Sequence, residues 1–286
     1  MNDPVVEPVE TRVGFIGLGN IGKPMALRLA GADDIALTVF DIAAEPTAEL
    51  AAAGATVAES VAELAKAVQV VCVMVRDDDQ VRDVLGEILG VAGEGQTVVI
   101  HSTVAPDTPS QLADTAVRHG VGLLDAPVSG GAMGAADGTL AIMVGGEIAA
   151  FERARPALVA MGSMVVHAGP IGAGTRMKLA RNLLHFVSFT AATEAQRLAE
   201  ASGLDLVELG KVVRHTDAIT GGPGAIMHRD TAATMAEDDF WRAIFTHVVA
   251  LGEKDLGFAI GLADGLGVDV PLARLALDRL GPGLGM

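Results

Sequence analysis

A chain of 286 residues with 35 Gly and 12 Pro has many places to break a helix, yet none falls between Thr175 and Ser202. Ala, Leu, Arg, Lys, Glu and Gln dominate that stretch, and all are good helix formers. It opens just after a Gly-rich turn, GPIGAG. Ahead of it, short apolar runs alternate with helical patterns. Behind it, only helical patterns follow. One long helix therefore reads as the junction between an α/β domain and an all-helical domain. The expected division is a loose tail over residues 1–10, a doubly wound parallel-sheet domain over 11–170, and a helical substrate and dimerisation domain over 171–286.

The first domain begins with a short apolar strand, RVGFIG, that runs into Gly17-Leu18-Gly19-Asn20-Ile21-Gly22 and then a helical KPMALRLA. This is G-x-G-x-x-G with a strand before it and a helix after it, the setting in which it binds a dinucleotide. The first Gly permits the tight turn, the second lets backbone approach a pyrophosphate, and the third lets the helix pack on the strand. The helix N-terminus then offers N–H groups to phosphate. A second strand, ALTVF, ends at Asp41, about 20 residues on, where a carboxylate can accept the adenosine ribose hydroxyls. No Lys or Arg occurs from Ile42 to Leu50. A 2′-phosphate would be repelled there, so NAD is expected and NADP disfavoured.

Further strands are expected at Val70–Val75 and Thr97–Ile100, with helices over 44–53, 57–66, 78–89 and 106–119, the last with Pro106 in its first turn. In an open parallel sheet, ligands lie beyond the carboxyl ends of the strands. Met74, Val75 and Thr103 stand at such ends and join the expected cofactor contacts. His101 stands there too, as a site residue or a strand-end polar group. Between strands at 121–124 and 140–144 lies a loop with Ser129-Gly130-Gly131. A hydroxyl beside two unshielded N–H groups suits a substrate carboxylate.

The overall charge is −16 and the pI about 4.7. Phosphate-backbone binding draws on clustered Lys and Arg, so nucleic acid is not an expected partner. Cys72 is the only cysteine, which rules out an intrachain disulfide framework. Seven scattered His show no metal-ligand spacing, and polar residues interrupt each apolar run short of a membrane span. With no basic leader, a cytoplasmic protein is expected. Apolar residues reach 50% with only 3% aromatic, so the helical domain has an Ala, Leu and Val surplus suited to a homo-oligomer.

GFIGLGNIGKPMALRLA, HSTVAPDT, DAPVSGGAMGAADGTLAIMVGG, GAGTRMKLARN and EKDL together resemble the β-hydroxyacid dehydrogenase family over nearly the whole chain. That family includes 3-hydroxyisobutyrate dehydrogenase and tartronate semialdehyde reductase. The resemblance implies hydride transfer between a nicotinamide cofactor and a small 3-hydroxy acid or its semialdehyde. It implies that Ser129, Gly130 and Gly131 hold the carboxylate, Lys178 is the acid/base, Asn182 places substrate, and Lys254 lies near the cofactor. It also implies a dimer or tetramer. Lys178 and Asn182 share one helix face at i, i+4. A free Lys has a pKa of about 10.4, so acting as a base requires that value to fall. Proximity to a helix N-terminus, desolvation and the charge of NAD⁺ would each lower it. Three departures stand out: Arg181 where the family commonly has Asn, His101 where it is commonly acidic, and the segment DDFWRAIFTHVV. Other readings are an imine reductase of the same architecture, which typically replaces the Lys, and a non-catalytic oligomerisation module, which would have lost it.

Overall fold

A computed structural model describes residues 10–286, so the tail expected over 1–10 lies outside the described residues except for Glu10. The described chain forms two compact units that divide between Arg181 and Asn182.

In the first unit, β1 (Thr11–Ile16), β2 (Ile35–Phe40), β3 (Thr56–Val57), β4 (Val70–Val73), β5 (Thr97–Ile100) and β6 (Gly122–Asp125) pair in parallel in the order β3-β2-β1-β4-β5-β6. The sheet continues into β8 (Ala141–Gly145), which runs antiparallel to β6 and to the short β7 (Val128–Ser129) and parallel to β9 (Met164–Gly169). The run VVCV at β4 is apolar throughout because both faces are covered. Val70 and Cys72 point into one core with Phe15, Met25, Leu29, Leu158 and Met161. Val71 and Val73 point into another with Leu64, Leu85, Ile88 and Ala116. Helices α1 (Gly22–Ala30) and α7 (Ile148–Met161) supply the first, and α3 (Val61–Ala67), α4 (Asp78–Leu89) and α5 (Thr108–Arg118) the second. The remaining helices of this unit are α2 (Ala44–Ala52) and α6 (Gly131–Asp137).

Local starts differ from expectation in three places. Residues Thr56–Val57 pair with β2 instead of opening a helix, and α3 begins after Ser60, whose Oγ accepts the Glu63 N–H at 3.1 Å. The α5 helix begins at Thr108 with Pro109, not Pro106, in its first turn. The Asp78 carboxylate accepts the Ala105 N–H at 3.1 Å and also meets Thr108 Oγ1, which fixes residues 105–108 ahead of the helix. Val128–Ser129 form β7 and Gly131–Asp137 form α6, where a loop is expected from the sequence.

The long helix α8 spans Ala173–Ala201, and α9 (Leu206–Thr220), α10 (Phe240–Leu266) and α11 (Pro271–Gly283) follow. Asp205 accepts N–H bonds from Val207 and Glu208, and Asp239 from Trp241, as N-caps of α9 and α10. The buried Glu194 carboxylate accepts the Leu272 and Ala273 N–H groups at 2.8 and 2.9 Å, placing a negative charge at the positive end of α11. The buried cluster of the second unit is small, built on Met235, Phe245 and Leu284 with Trp241, Val248, Val249 and Leu280 packed against it. Among the described residues, no helix is long and apolar enough to cross a membrane.

Candidate active site

The turn after β1 is shaped for close approach. Gly17 takes φ +93°, a conformation that side-chain-bearing residues rarely adopt, and a Cβ there would collide with the Met74 carbonyl. A Cβ on Gly22 would collide with the Gly17 carbonyl, so α1 can begin hard against the turn only with Gly there. Gly19 is different: nothing lies within 4 Å of where its Cβ would be. It is exposed at the head of α1, so its missing side chain leaves open room for a ligand and is not demanded by packing. Asp41 Oδ2 accepts the Leu18 N–H at 2.6 Å and Oδ1 accepts the Ala43 N–H at 2.8 Å. The carboxylate thus ties the end of β2 to the glycine turn. A carboxylate has about four lone-pair sites, so two remain for other donors. These features fit a dinucleotide, with its pyrophosphate at Gly17–Gly22 and its ribose at Asp41.

The ends of β4 and β5 are also tied. Ser102 Oγ accepts the Val75 N–H at 2.9 Å and donates to the Val75 carbonyl at 2.8 Å. Thr103 beside it is exposed, and Met74 and Val75 are half-buried. His101 is fully buried and stacks on Phe15 with ring centroids 6.3 Å apart. Its Nδ1 lies 2.8 Å from the Ala126 carbonyl, which can only accept, so Nδ1 carries the proton. Burial pulls its pKa down to about 4, and the ring is neutral at physiological pH.

The start of α8 is pinned to the sheet. Asp125, at the end of β6 and fully buried, accepts N–H bonds from Gly172 at 2.7 Å and Thr175 at 2.6 Å. Gly174 and Gly145 pack so closely that a Cβ on Gly174 would strike the Met143 carbonyl. Lys178 is one turn beyond Gly174, so the two share a helix face. Lys178 is consequently only 8% exposed. Its pKa is pushed below the ordinary lysine value, first by desolvation and then by the Arg181 guanidinium. Ser129 is half-buried at the end of β7, and Gly130 and Gly131 follow it exposed, with φ +135° at Gly130.

Residues 12–169 match the family model described as the NAD binding domain of 6-phosphogluconate dehydrogenase. Residues 172–280 match the model described as NAD-binding of NADP-dependent 3-hydroxyisobutyrate dehydrogenase. An uncharacterized oxidoreductase of Mycobacterium tuberculosis is 51% identical over 98% of this chain and 95% of its own. The crystal structure of an oxidoreductase from Mycobacterium avium superposes with a TM-score of 0.92 at 51% identity, covering 96% of this chain and 98% of that one. Mycobacterium tuberculosis 3-hydroxyisobutyrate dehydrogenase, solved with L-serine, gives a TM-score of 0.68 at 32% identity, covering 96% and 93%. The chain belongs to the β-hydroxyacid dehydrogenase family. It is an NAD-binding oxidoreductase of the hydroxyacid dehydrogenase class.

Set against this β-hydroxyacid dehydrogenase framework, the first unit contains the glycine turn, Asp41, Met74, Val75, Thr103, Ser129–Gly131 and Lys178. Asn182 and Lys254 belong to the second unit, Lys254 exposed on α10 with its Nζ 3.2 Å from Asp255. Two contributors escaped sequence reasoning. Asp125 stands in the sequence only as the residue after an expected strand, and its bonds go to residues 47 and 50 positions later. Arg181 stands out in the sequence as a departure from the family pattern, but its electrostatic push on Lys178 is legible there only as a cation at i+3.

Proposed function

We propose that this protein oxidises the primary alcohol of a small 3-hydroxy acid, or reduces the matching semialdehyde, with Lys178 as general acid/base and NAD preferred over NADP. The observation that carries the reading is Lys178 itself. It is a buried lysine with a depressed pKa, on a helix start fixed to the carboxyl end of β6, in the unit that holds the glycine turn.

Lowering the pKa raises the fraction of neutral amine, and only neutral Lys178 can accept the hydroxyl proton. Gly17–Gly22 and Asp41 would hold NAD⁺, which would supply the acceptor for the hydride of the carbinol carbon. Ser129 and the N–H groups of Gly130 and Gly131 hold the carboxylate and so fix which carbon faces the cofactor. Asn182, one turn along α8, holds the hydroxyl toward Lys178 Nζ. Lys254 is assigned to the cofactor by family resemblance alone. The similar M. tuberculosis enzyme bears the name 3-hydroxyisobutyrate dehydrogenase and was solved with L-serine. Both compounds place a CH₂OH on the carbon next to a carboxylate, and that unit is the proposed substrate core. Retention of Lys178 speaks against the imine-reductase and non-catalytic readings. The exposed apolar faces of α8 and α9 support a homodimer, with residues 11–170 as the cofactor domain and 171–286 as the substrate and dimerisation domain.

Replacing Lys178 with Ala tests the assignment. General acid–base groups contribute about 10² to 10⁴ in rate, so kcat should fall at least about 10²-fold, roughly 2.7 kcal/mol of barrier. NAD affinity by fluorescence titration should stay near that of the unaltered enzyme. Unchanged turnover in Lys178→Ala would end the assignment.

A further inference from the structure

The two groups assigned to the substrate hang from neighbouring residues at the end of β6. Asp125 holds the start of α8, and with it Lys178, through its carboxylate. Ala126, next in the chain, leads through Pro127 into β7, whose last residue is Ser129. This exit from the sheet has few backbone bonds to hold it. Pro127 has no N–H to give. The Ala126 N–H donates to the Ile100 carbonyl at 2.7 Å, and the Pro127 carbonyl accepts the Met143 N–H at 3.2 Å. Val128 and Ser129 then pair with Ile142 and Ala141. The Ala126 carbonyl takes no backbone donor among the described residues. It accepts the Nδ1–H of His101 at 2.8 Å instead.

His101 follows directly on β5 and is fully buried, its ring within 8° of parallel to that of Phe15. The Phe15 ring in turn lies 3.2 Å from where a Cβ of Gly22 would be, against the glycine turn. One imidazole thus links the support of the cofactor turn to the root of the carboxylate loop. Its other nitrogen, Nε2, is buried with no hydrogen-bond partner among the described residues. A bare buried acceptor costs about 1–3 kcal/mol. The ring satisfies one buried group and leaves another bare, so its hydrogen bonding adds little net stability. What it gives that a hydrocarbon would not is a fixed direction for the Ala126 carbonyl.

We infer that His101 is a positioning residue: through the Ala126 carbonyl it sets where Ser129, Gly130 and Gly131 stand relative to the glycine turn and to Lys178. The inference rests on the function proposed above, in which Ser129–Gly131 hold the substrate carboxylate. His101 acts on the loop and not on the dinucleotide, so its loss weakens the hold on substrate and spares the hold on NAD⁺.

The test uses the full-length enzyme and two variants of nearly equal size, His101→Asn and His101→Leu. Both lose the ring and its stacking on Phe15. Asn carries an amide nitrogen on Cγ, where imidazole carries Nδ1, and can still donate to Ala126; Leu cannot. KM and kcat are measured for 3-hydroxyisobutyrate and for L-serine, and NAD⁺ affinity by fluorescence titration. KM does not depend on how much of a sample is folded, so partial misfolding does not imitate the effect. His101→Leu should raise KM by about tenfold to a hundredfold, the scale of a misplacement of about 1 Å. Its kcat should change less, and its NAD⁺ affinity should stay near that of the unaltered enzyme. His101→Asn should recover most of the loss in KM. An unchanged KM in His101→Leu, equal rises in both variants, or a loss of NAD⁺ affinity as large as the rise in KM overturns the inference and leaves the hydroxyacid function standing. If His101→Leu does not fold, His101→Asn decides: a KM near that of the unaltered enzyme supports the inference, and a rise of about tenfold or more overturns it. Turnover of neither acid by the unaltered enzyme overturns both.

Discussion

The two units of this chain bury their apolar residues to very different extents. In the first, β1, β4 and β5 are sealed between helices on both faces, and Phe15, Met25, Leu29, Leu124 and Ile142 are fully inaccessible. In the second, α9 buries none of its residues, and Leu183, Phe186, Phe189, Val207, Ile219 and Phe258 are each more than half exposed. Exposed apolar patches of this extent are rare on monomers and mark interaction surfaces. The first unit has a complete core of its own, whereas the helical unit has hydrogen-bonded caps at Asp205, Asp239 and Glu194 but lacks cover for its apolar faces. Capping fixes where helices begin; it does not bury their sides. Covering those faces with a second copy is the explanation that the proposed function adopts.

The comparison breaks most readily at Phe186, 59% exposed on α8. Burying a Phe is worth about 1.5–3 kcal/mol, and a two-fold interface counts it twice. Phe186→Asp should therefore raise the dimer dissociation constant by at least about a hundredfold, at 1.4 kcal/mol per tenfold. Sedimentation velocity reads the assembly, and hydrogen exchange reads the units separately. Protection should fall in α8 and α9 and persist in β1, β4 and β5. A monomeric wild-type protein, or uniform loss of protection in the variant, would refute the contrast.

Asp125 sharpens it from the other side, because it closes the first unit over the start of α8. Asp125→Ala removes the acceptor for two backbone N–H groups that have no water to turn to. Each unsatisfied buried group costs about 1–3 kcal/mol. Chemical denaturation should show a loss of about 2–6 kcal/mol in the first-unit transition. Turnover should fall further than NAD affinity, since Lys178 depends on that helix start and the glycine turn does not.

What the sequence made visible follows the range of the interactions. The glycine turn, Asp41 and the apolar runs of β4 and β5 are local patterns, and they were readable as such. The long helix that carries Lys178 is readable from a run without breakers. The α6 helix is not, because Gly131-Ala-Met-Gly134-Ala-Ala looks like flexible chain and becomes helical where it packs against α1. The choice between Pro106 and Pro109 was not readable, because Asp78, 27 residues earlier than Ala105, decides it. Asp125 was hidden for the same reason, and so was the orientation of His101, which turns on the Ala126 carbonyl 25 residues away. Side chains that act on a partner close in sequence announce themselves, and those that act across the sheet do not.

His101 supplies the smallest and most specific test. Its folded pKa of about 4 lies below the ordinary histidine value of 6.5. The unfolded chain therefore binds a proton between these values that the folded chain refuses. Stability linked to this residue is fully present above pH 6.5 and is lost as pH falls toward 4. At 1.36 kcal/mol per pKa unit, the loss approaches about 3 kcal/mol. His101→Gln removes the titration while leaving an amide N–H to donate to the Ala126 carbonyl. Other groups titrate in this range, so the informative quantity is the difference between wild type and variant in denaturant midpoint at pH 7 and at pH 4.5. The variant should be the less stable at pH 7, because Gln does not stack on Phe15 as the ring does, and the gap should narrow or reverse at pH 4.5. The effect belongs in the first unit, so exchange protection of β5 and β6 should carry it and that of α10 and α11 should not. A pH-independent gap would mean that the buried ring is already charged or hydrated, and the neutral assignment of His101 would fall.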